Sequence, residues 1–421
     1  MGHEGSGEIR VGVVGLGDVV LRYFWPGLQE YKNFYKDNRL SVTAIAYRRS
    51  REEALTKLDT LSGSNDKIEV NSASAIKTGM ENGSIAFHRT DGEMLTREFL
   101  DSVDAVYIAT PNSTHRAYAE QCIRAKKHVL CEKPLASSRT DVQAIARTAE
   151  LNQGNIYQIV SHYAYKKPFL VLMENISEWL RECGSGITHI DARVLQEMSE
   201  DVTGYSSGLP VYRPRLVNTV LSNEAGGGII MDTVVHPLAD IACLGGRVSE
   251  VLDADAYNFD ESVFDTETAF SAELRLVGPL FEDATAHVAA AKFMQEREKS
   301  LFIEIGGGKG SIAIVFDRVT NGKRVRNTIS YEKHGREQVC YPYGDNFSDD
   351  PYAESASFFA KAITEGREPM TPFSQGIEEA LAIQTLKRSL LEKYHGRPWS
   401  PNPLDFYPSV PSRPKGMKVM V

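Results

Sequence analysis

Two short segments carry residues able to move a proton. Lys133 follows an apolar, β-rich run, His128 to Cys131, within Cys131-Glu132-Lys133-Pro134. An ammonium at a strand terminus can hydrogen-bond a reacting oxygen and lower its pKa. A surface lysine anchoring Glu132 is the plainer alternative. Further on, Asp232, His236 and Asp240 recur at every fourth position, which puts them on one face of a helix. Pro237 is tolerated there if the helix begins near Met231. A histidine with a carboxylate one turn away can be oriented and tuned as a general base near neutral pH. In that arrangement His236 takes a proton, Lys133 shares or relays it, and Asp232 stabilises the charged imidazole. The set suits oxidation of a secondary alcohol, or the reverse reduction. A satisfied helix pair is one alternative, and a metal ion shared by Asp and His is another. No further ligand cluster has convincing spacing, so no metal is expected.

Such groups need a scaffold. The first 155 residues alternate apolar runs with helical patterns, the signature of a parallel sheet covered on both faces. The runs Ile9–Val14, Leu40–Ala46, Val103–Thr110 and His128–Cys131 end respectively at Gly15, at Tyr-Arg-Arg-Ser, at Pro111 and at Glu-Lys-Pro. In open α/β sheets ligands bind at that edge. Residues 51–103 read as one further strand–helix unit plus an insertion. From about residue 156 the texture becomes period-two, in runs at 187–196, 251–259, 267–277, 283–293, 300–307 and 310–316. Residues 374–396 form an amphipathic helix closing near Gly396. The expected class is α/β: a doubly wound parallel Rossmann sheet over 1–155 and an α+β domain over 156–398. The second domain is built on a large, mostly antiparallel, open-faced sheet, and 399–421 is an extended tail.

Gly15-Leu16-Gly17 lies directly after the first strand and before a helix. Glycines there permit a tight turn and close approach of a pyrophosphate to the helix N-terminus. Gly15, Gly17, Asp18 and Val19 are then the contacts. Val20 occupies the third small position, so the pattern is incomplete and an ordinary strand–helix turn stays open. At the second strand's end, NAD-preferring sites usually place an acidic residue. This chain has Tyr47-Arg48-Arg49-Ser50. Two guanidiniums and a hydroxyl suit a 2′-phosphate dianion, which favours NADP over NAD. A solvated basic helix start is the alternative.

Composition narrows the class. A chain of 421 residues is too long for one typical core. A net charge of -9 argues against nucleic acid, and no apolar run approaches the ~20 residues that span a bilayer. The polar first ten residues lead straight into a strand, with no secretory core. Five cysteines, widely spaced and without CxxC, suit a reducing compartment, and the cytoplasm is the simplest address. Gly306–Gly310 reads as a β-turn, since it lacks P-loop spacing.

The segments Ala109–His115 and Cys131–Pro134 resemble those of the Gfo/Idh/MocA oxidoreductases. Gly226–Asp240 is similar to that family's GGGxxxDxGxHxxD segment, with Val234 where glycine is usual and expected to narrow that end of the pocket. The resemblance runs through nearly the whole chain in order. It implies a Rossmann domain followed by an open-faced domain, and NAD(P)-linked chemistry on a CH–OH group of a sugar or sugar phosphate. It implies Lys133 and His236 as catalytic with Asp232 beside them. Thr110, Pro111, Asn112, His115, Glu132 and Lys133 then face the cofactor. A homodimer or homotetramer paired through the open sheet is also implied. A second resemblance, to glucose-6-phosphate dehydrogenases, rests on Gly17-Asp18-Val19, Arg22, Trp25–Leu28, Tyr47–Ser50 and Ile156–Lys166. It implies that His162, Tyr163 and Lys166 hold a substrate phosphate, although Ser161 replaces an aspartate and one residue is added. A plain strand of the substrate domain is the alternative there. A dinucleotide-sensing regulator and an NAD-assisted glycosidase are the rival functions. The presence of Lys133, Asp232 and His236 together argues against the sensor.

Overall fold

Near-continuous apolar runs mark strands buried on both faces, and the computed structural model places them so. It describes residues 7–62, 66–198, 202–206, 209–212, 216–221, 227–259, 261–320, 322–333, 336–339, 346–396 and 399. Strands β1 (Ile9–Val14), β2 (Leu40–Tyr47), β3 (Ala86–Arg89), β4 (Ala105–Ile108), β5 (His128–Glu132) and β6 (Tyr157–Val160) form one sheet. Its order is β3-β2-β1-β4-β5-β6 and every pair is parallel. The order reverses between β1 and β4, which opens a crevice at their C-terminal ends. The sheet's helices are α1 (Trp25–Tyr35), α2 (Arg51–Ser62), α3 (Lys67–Asn82), α4 (Arg97–Ser102), α5 (His115–Arg124) and α6 (Arg139–Glu150).

Two details differ from expectation. Where one strand–helix unit plus an insertion was expected, a second helix stands, because Asp66 accepts hydrogen bonds from the amides of Ile68 and Glu69 and so starts α3. Two helices therefore precede β3. The strand expected over Val103–Thr110 is shorter, since Val103 caps α4 and the Asp104 carboxylate is taken by Arg10 at 2.8 Å.

The chain next forms α7 (Lys167–Cys183), β7 (Ile187–Glu197), the small hairpin β8 (Val202–Ser206) and β9 (Leu209–Tyr212), and α8 (Val235–Cys243). Strands β10 (Arg247–Tyr257), β11 (Ala269–Val277), β12 (Phe281–Met294), β13 (Arg297–Ile305), β14 (Gly310–Thr320), β15 (Lys323–Lys333) and β16 (Arg336–Val339) follow. The large sheet runs β10-β11-β12-β7-β13-β14-β15-β16. It is antiparallel except where β7 lies parallel to β12. All six period-two runs read from the sequence are strands. Their alternation sends Ile190, Ala192, Phe270, Leu274, Leu301, Ile303 and Ile314 into one core with α7 and α8. His189, Asp191, Arg193, Ser271 and Glu273 alternate with them, so the opposite face is polar. The three glycines Gly306, Gly307 and Gly308 make the β13–β14 turn with φ of 59°, 63° and 96°.

Two late helices, α9 (Pro351–Glu365) and α10 (Phe373–Lys393), return to the first sheet. Gly27 lets α9 approach α1 closely, because any Cβ there would collide with the Cβ of Tyr352. Phe373 and Ala380 of α10 pack with β5 and β6, while its Ile383, Leu386 and Leu390 join the core of the large sheet. One helix thus ties the two sheets together. Cys122, Cys131, Cys183 and Cys243 are free thiols, three of them buried. Cys340, Gly226 and residues 400–421 lie outside the described residues. Among the described residues no helix is long and apolar enough to cross a membrane.

Candidate active site

Gly15 ends β1 with φ +104°, and a Cβ there would stand 2.5 Å from the carbonyl oxygen of Ala109. Only glycine meets both demands. A Cβ on Gly17 would meet nothing within 4 Å, so bare backbone faces the crevice. Asp18 and Val19 begin the helical run. The helix then widens into a π turn, Val20–Phe24, where the Val20 side chain is buried in the core in place of a third small residue.

At the end of β2, Arg48 and Arg49 are exposed. Ser50 opens α2 with a reciprocal cap: its Oγ accepts from the Glu53 amide at 3.2 Å, and its amide donates to Glu53 Oε2 at 2.9 Å. Its hydroxyl thus caps the helix in this structure. Ser50→Ala is expected to cost about 1 kcal/mol. The thermal midpoint falls by a few degrees while cofactor affinity holds. A selective loss of NADP affinity in that variant would put the hydroxyl on the phosphate after all.

After β4, Thr110 and Pro111 lead into a short turn, Asn112–Thr114, and Thr114 Oγ1 donates to Thr110 Oγ1 at 2.8 Å. His115 is fully buried behind that turn. Its Nδ1 lies 2.8 Å from the Pro134 carbonyl and its Nε2 lies 2.9 Å from that of Thr110. The ring thereby clasps the loops after β4 and β5, and burial lowers its pKa. Glu132 is buried too, accepting from Tyr107 Oη at 2.7 Å and Tyr352 Oη at 3.3 Å. Burial raises its pKa, against the pull of Tyr107 and Lys133. The next peptide, Lys133–Pro134, is cis.

Lys133 reaches across to the second domain. Its Nζ donates to the Asp232 carbonyl at 2.6 Å and to Asp232 Oδ1 at 3.1 Å. Asp232 lies in a second π turn, Ile230–Val234, just before α8. The even four-residue spacing on one α-helical face therefore does not survive. Asp232 turns to lysines, His236 packs on His162 and Tyr163, and Asp240 is buried deeper in α8 beside Glu379. Burial raises the pKa of both of those carboxyls, Glu379 to about 8. Val234 is wholly buried in the core of the large sheet.

His236 is 6% exposed; its ring stacks on Tyr163 at 4.5 Å and meets His162 edge-on at 4.4 Å. Burial drives both imidazoles well below their ordinary pKa. Lys133, Lys166 and Lys299 lower both further, so both rings are neutral at neutral pH. Lys166 lies over Tyr163 at 4.3 Å and Phe316 at 5.4 Å, with its pKa lowered to about 8 by burial and Lys299. Among the described residues no group of three or more His, Cys, Asp or Glu could hold a metal ion.

Residues 9–160 match the family model for the Gfo/Idh/MocA oxidoreductase family, NAD-binding Rossmann fold. That segment, just over a third of the chain, is similar to the family's NAD-binding domain. Among curated proteins it is 28% identical over 163 residues to the NADP(+) scyllo-inositol 2-dehydrogenase of Bacillus subtilis (strain 168), a match spanning 39% of this chain and 45% of that one. It is 23% identical to the dTDP-3,4-didehydro-2,6-dideoxy-alpha-D-glucose 3-reductase of Actinomadura kijaniata, over 92% of this chain and 98% of that one. Among solved structures, a levoglucosan dehydrogenase in complex with NADH and levoglucosan superposes with a TM-score of 0.67 at 18% identity. That superposition covers 92% of this chain and 98% of the other, and it shows the shared fold.

Lys133, Asp232, His236, His162, Tyr163 and Lys166 come together from four different elements. Gly15, Gly17, Arg48, Arg49 and Thr110–Asn112 gather at the crevice, with His115 and Glu132 behind it. Two cations escaped the sequence reading. Lys57 of α2 donates to the Leu16 carbonyl at 2.5 Å, tying the helix to the glycine turn, and Arg49 is near enough to lower its pKa along with burial. Lys292, one lysine at the end of the apolar strand β12, has its Nζ 3.7 Å from Asp232 Oδ2. Its signal was the single charge closing an apolar run of alternating small residues. Tyr352 had no sequence signal at all.

Proposed function

We propose that this oxidoreductase transfers a hydride between NADP, in preference to NAD, and a carbinol carbon of a sugar or sugar phosphate. The observation that carries the reading is the Lys133–Asp232 contact beside a neutral His236, at the edge of the sheet that bears the glycine turn. The residues present fit a dinucleotide. The turn exposes bare backbone at Gly17, and Arg48, Arg49 and Lys57 surround the end of β2 where an acid would select NAD. The NADP(+) in the Bacillus subtilis relative's name supports that preference.

When bound, the nicotinamide supplies the hydride acceptor for oxidation or the donor for reduction. In oxidation the neutral His236 accepts the hydroxyl proton, and the Lys133 ammonium hydrogen-bonds the oxygen as negative charge grows on it. Asp232 holds that ammonium in place. Tyr163 fixes the plane of the His236 ring by stacking. Reduction runs the same proton transfers backwards.

The phosphorylated substrate gains support from Lys166, which sits beside Tyr163 and one turn from His162. Nicotinamide absorbance decides, with NADP and NAD against matched free sugars and their 6-phosphates. Selective turnover of a phosphate ester favours the His162–Tyr163–Lys166 pocket, and turnover of free sugars alone retires it. Cofactor binding with no turnover on any substrate marks a sensor. Release of an aglycone without net cofactor reduction marks a glycosidase. The proposal includes a cytoplasmic homodimer or homotetramer joined through the polar face of the large sheet, without nucleic-acid or membrane partners. Sedimentation velocity measures the copy number.

A further inference from the structure

The segment that carries Asp232 and His236 runs from Ile230 through the π turn into α8 without a break. A helical start leaves its first amides without partners inside the helix, and no side chain at its own N-cap serves them here. The partners come from the loop between β10 and β11. The Glu267 carbonyl accepts from the Ile229 amide at 3.1 Å, and Glu267 Oε1 accepts from the Ile230 amide at 3.2 Å. Glu267 is only 3% exposed. Its carboxyl lies against Gly228, where φ is +106° and a Cβ would stand 2.5 Å from Oε1. Glycine supplies both the turn and the room. The Gly228 carbonyl in turn accepts from the Asp232 amide at 2.8 Å.

The loop that presents Glu267 is itself held. Asn258 Nδ2 donates to the carbonyls of Phe264 at 2.9 Å and Thr266 at 2.7 Å, and the Phe259 amide donates to Thr268 Oγ1 at 2.8 Å. We propose that Glu267 is a positioning residue of this site, its two oxygens fixing the start of the π turn and, through it, the reach of Asp232 to Lys133 and the placement of His236. Lys133 Nζ contacts the carbonyl of Asp232 at 2.6 Å and its carboxylate at 3.1 Å, so a shift of the turn disturbs both contacts at once. His236 lies one turn further along the same segment and moves with it. A misplacement of about 1 Å in such a group can cost 10²-fold in rate. A carboxylate beside the first amides also complements the positive end of a helix, but the geometric part needs only an accepting oxygen. The purpose of Glu267 rests on the oxidoreductase reading, whereas its hold on the turn does not.

The test is a set of Glu267 variants of the full chain, assayed for kcat and KM and solved as crystal structures. Glu267→Leu keeps the bulk and removes the acceptor, while Glu267→Gln keeps an oxygen for the Ile230 amide. In the leucine variant kcat is expected to fall by about 10- to 100-fold with KM for the cofactor little changed. Its crystal structure is expected to show Lys133 Nζ out of hydrogen-bond reach of Asp232 Oδ1. Glutamine is expected to restore both. Should the leucine variant fail to fold, Glu267→Asp, shorter by one methylene, is expected to show a smaller fall in kcat and the same lengthened contact. Undiminished kcat, an unmoved Lys133–Asp232 contact, or a loss that glutamine does not reverse overturns the assignment. So does a rise in KM for the cofactor that matches the fall in kcat, which marks a general loosening of the fold. A lengthened contact in a protein that oxidises no sugar keeps the role of Glu267 and discards the proposed reaction.

Discussion

Lys133→Met and His236→Ala are each expected to lower kcat by about 10²-fold or more, the scale of a positioned acid or base. Methionine keeps most of the lysine's length and apolar stem, so the loops clasped by His115 stay in place. What it removes is the ammonium 2.6 Å from the Asp232 carbonyl and 3.1 Å from its carboxylate. KM for the cofactor should therefore change little, because the glycine turn and the β2 arginines are untouched. His236→Ala removes the base and leaves a gap between Tyr163 and His162. His236→Gln, which refills part of that gap without a titratable ring, separates lost packing from lost chemistry. The pH profile carries the sign. Burial and the surrounding lysines hold the His236 pKa well below the ordinary value of about 6.5, so its neutral form persists to lower pH. The acid limb of kcat assigned to this ring should consequently lie below that value, and Lys133→Met, by removing one repelling charge, should move it upward. Near-normal turnover in either primary variant would remove that residue from the mechanism.

The parallel sheet was legible because each of its long strands is a continuous apolar run that ends at a glycine, an arginine pair or a proline. That pattern survives without tertiary information. The π turns at Val20–Phe24 and Ile230–Val234 were not legible, since Val20 and Asp232 lie in stretches whose spacing also suits an ordinary α-helix. The assumption of a regular helix placed Asp232, His236 and Asp240 on one face, whereas the widened turn sends Asp232 toward Lys133 and buries Asp240. Lys292 was missed for a different reason. Its partners sit on the turn before α8 and on β7, and no local pattern announces which strand will end beneath a carboxylate. Tyr352 shows the limit most plainly. It reaches Glu132, 220 positions away, only because Gly27 lets α9 cross α1 closely.

The double variant Arg48→Ala with Arg49→Ala is expected to weaken NADP binding by roughly 10- to 100-fold and NAD binding by far less. Each hydrogen bond to a charged partner contributes about 1.5–3 kcal/mol where it is well formed. Both arginines are exposed, which screens the charge and brings each contact below the low end of that range, to about 1 kcal/mol. Since 1.4 kcal/mol is a factor of ten, losing two such contacts brings the ratio into the stated interval. NAD presents a ribose hydroxyl where NADP presents a dianion, so it has little to lose at this edge. Lys57 remains in the variant, held against the Leu16 carbonyl, and sets a residual preference for the phosphate. Raising the ionic strength should erode wild-type NADP affinity more steeply than that of the variant, because exposed charges are the ones salt screens. Fluorescence titration with both cofactors checks the ratio. An equal loss for NAD and NADP would mean that the arginines shape the α2 start rather than read the 2′-phosphate, and the cofactor preference would then have to come from Lys57 alone.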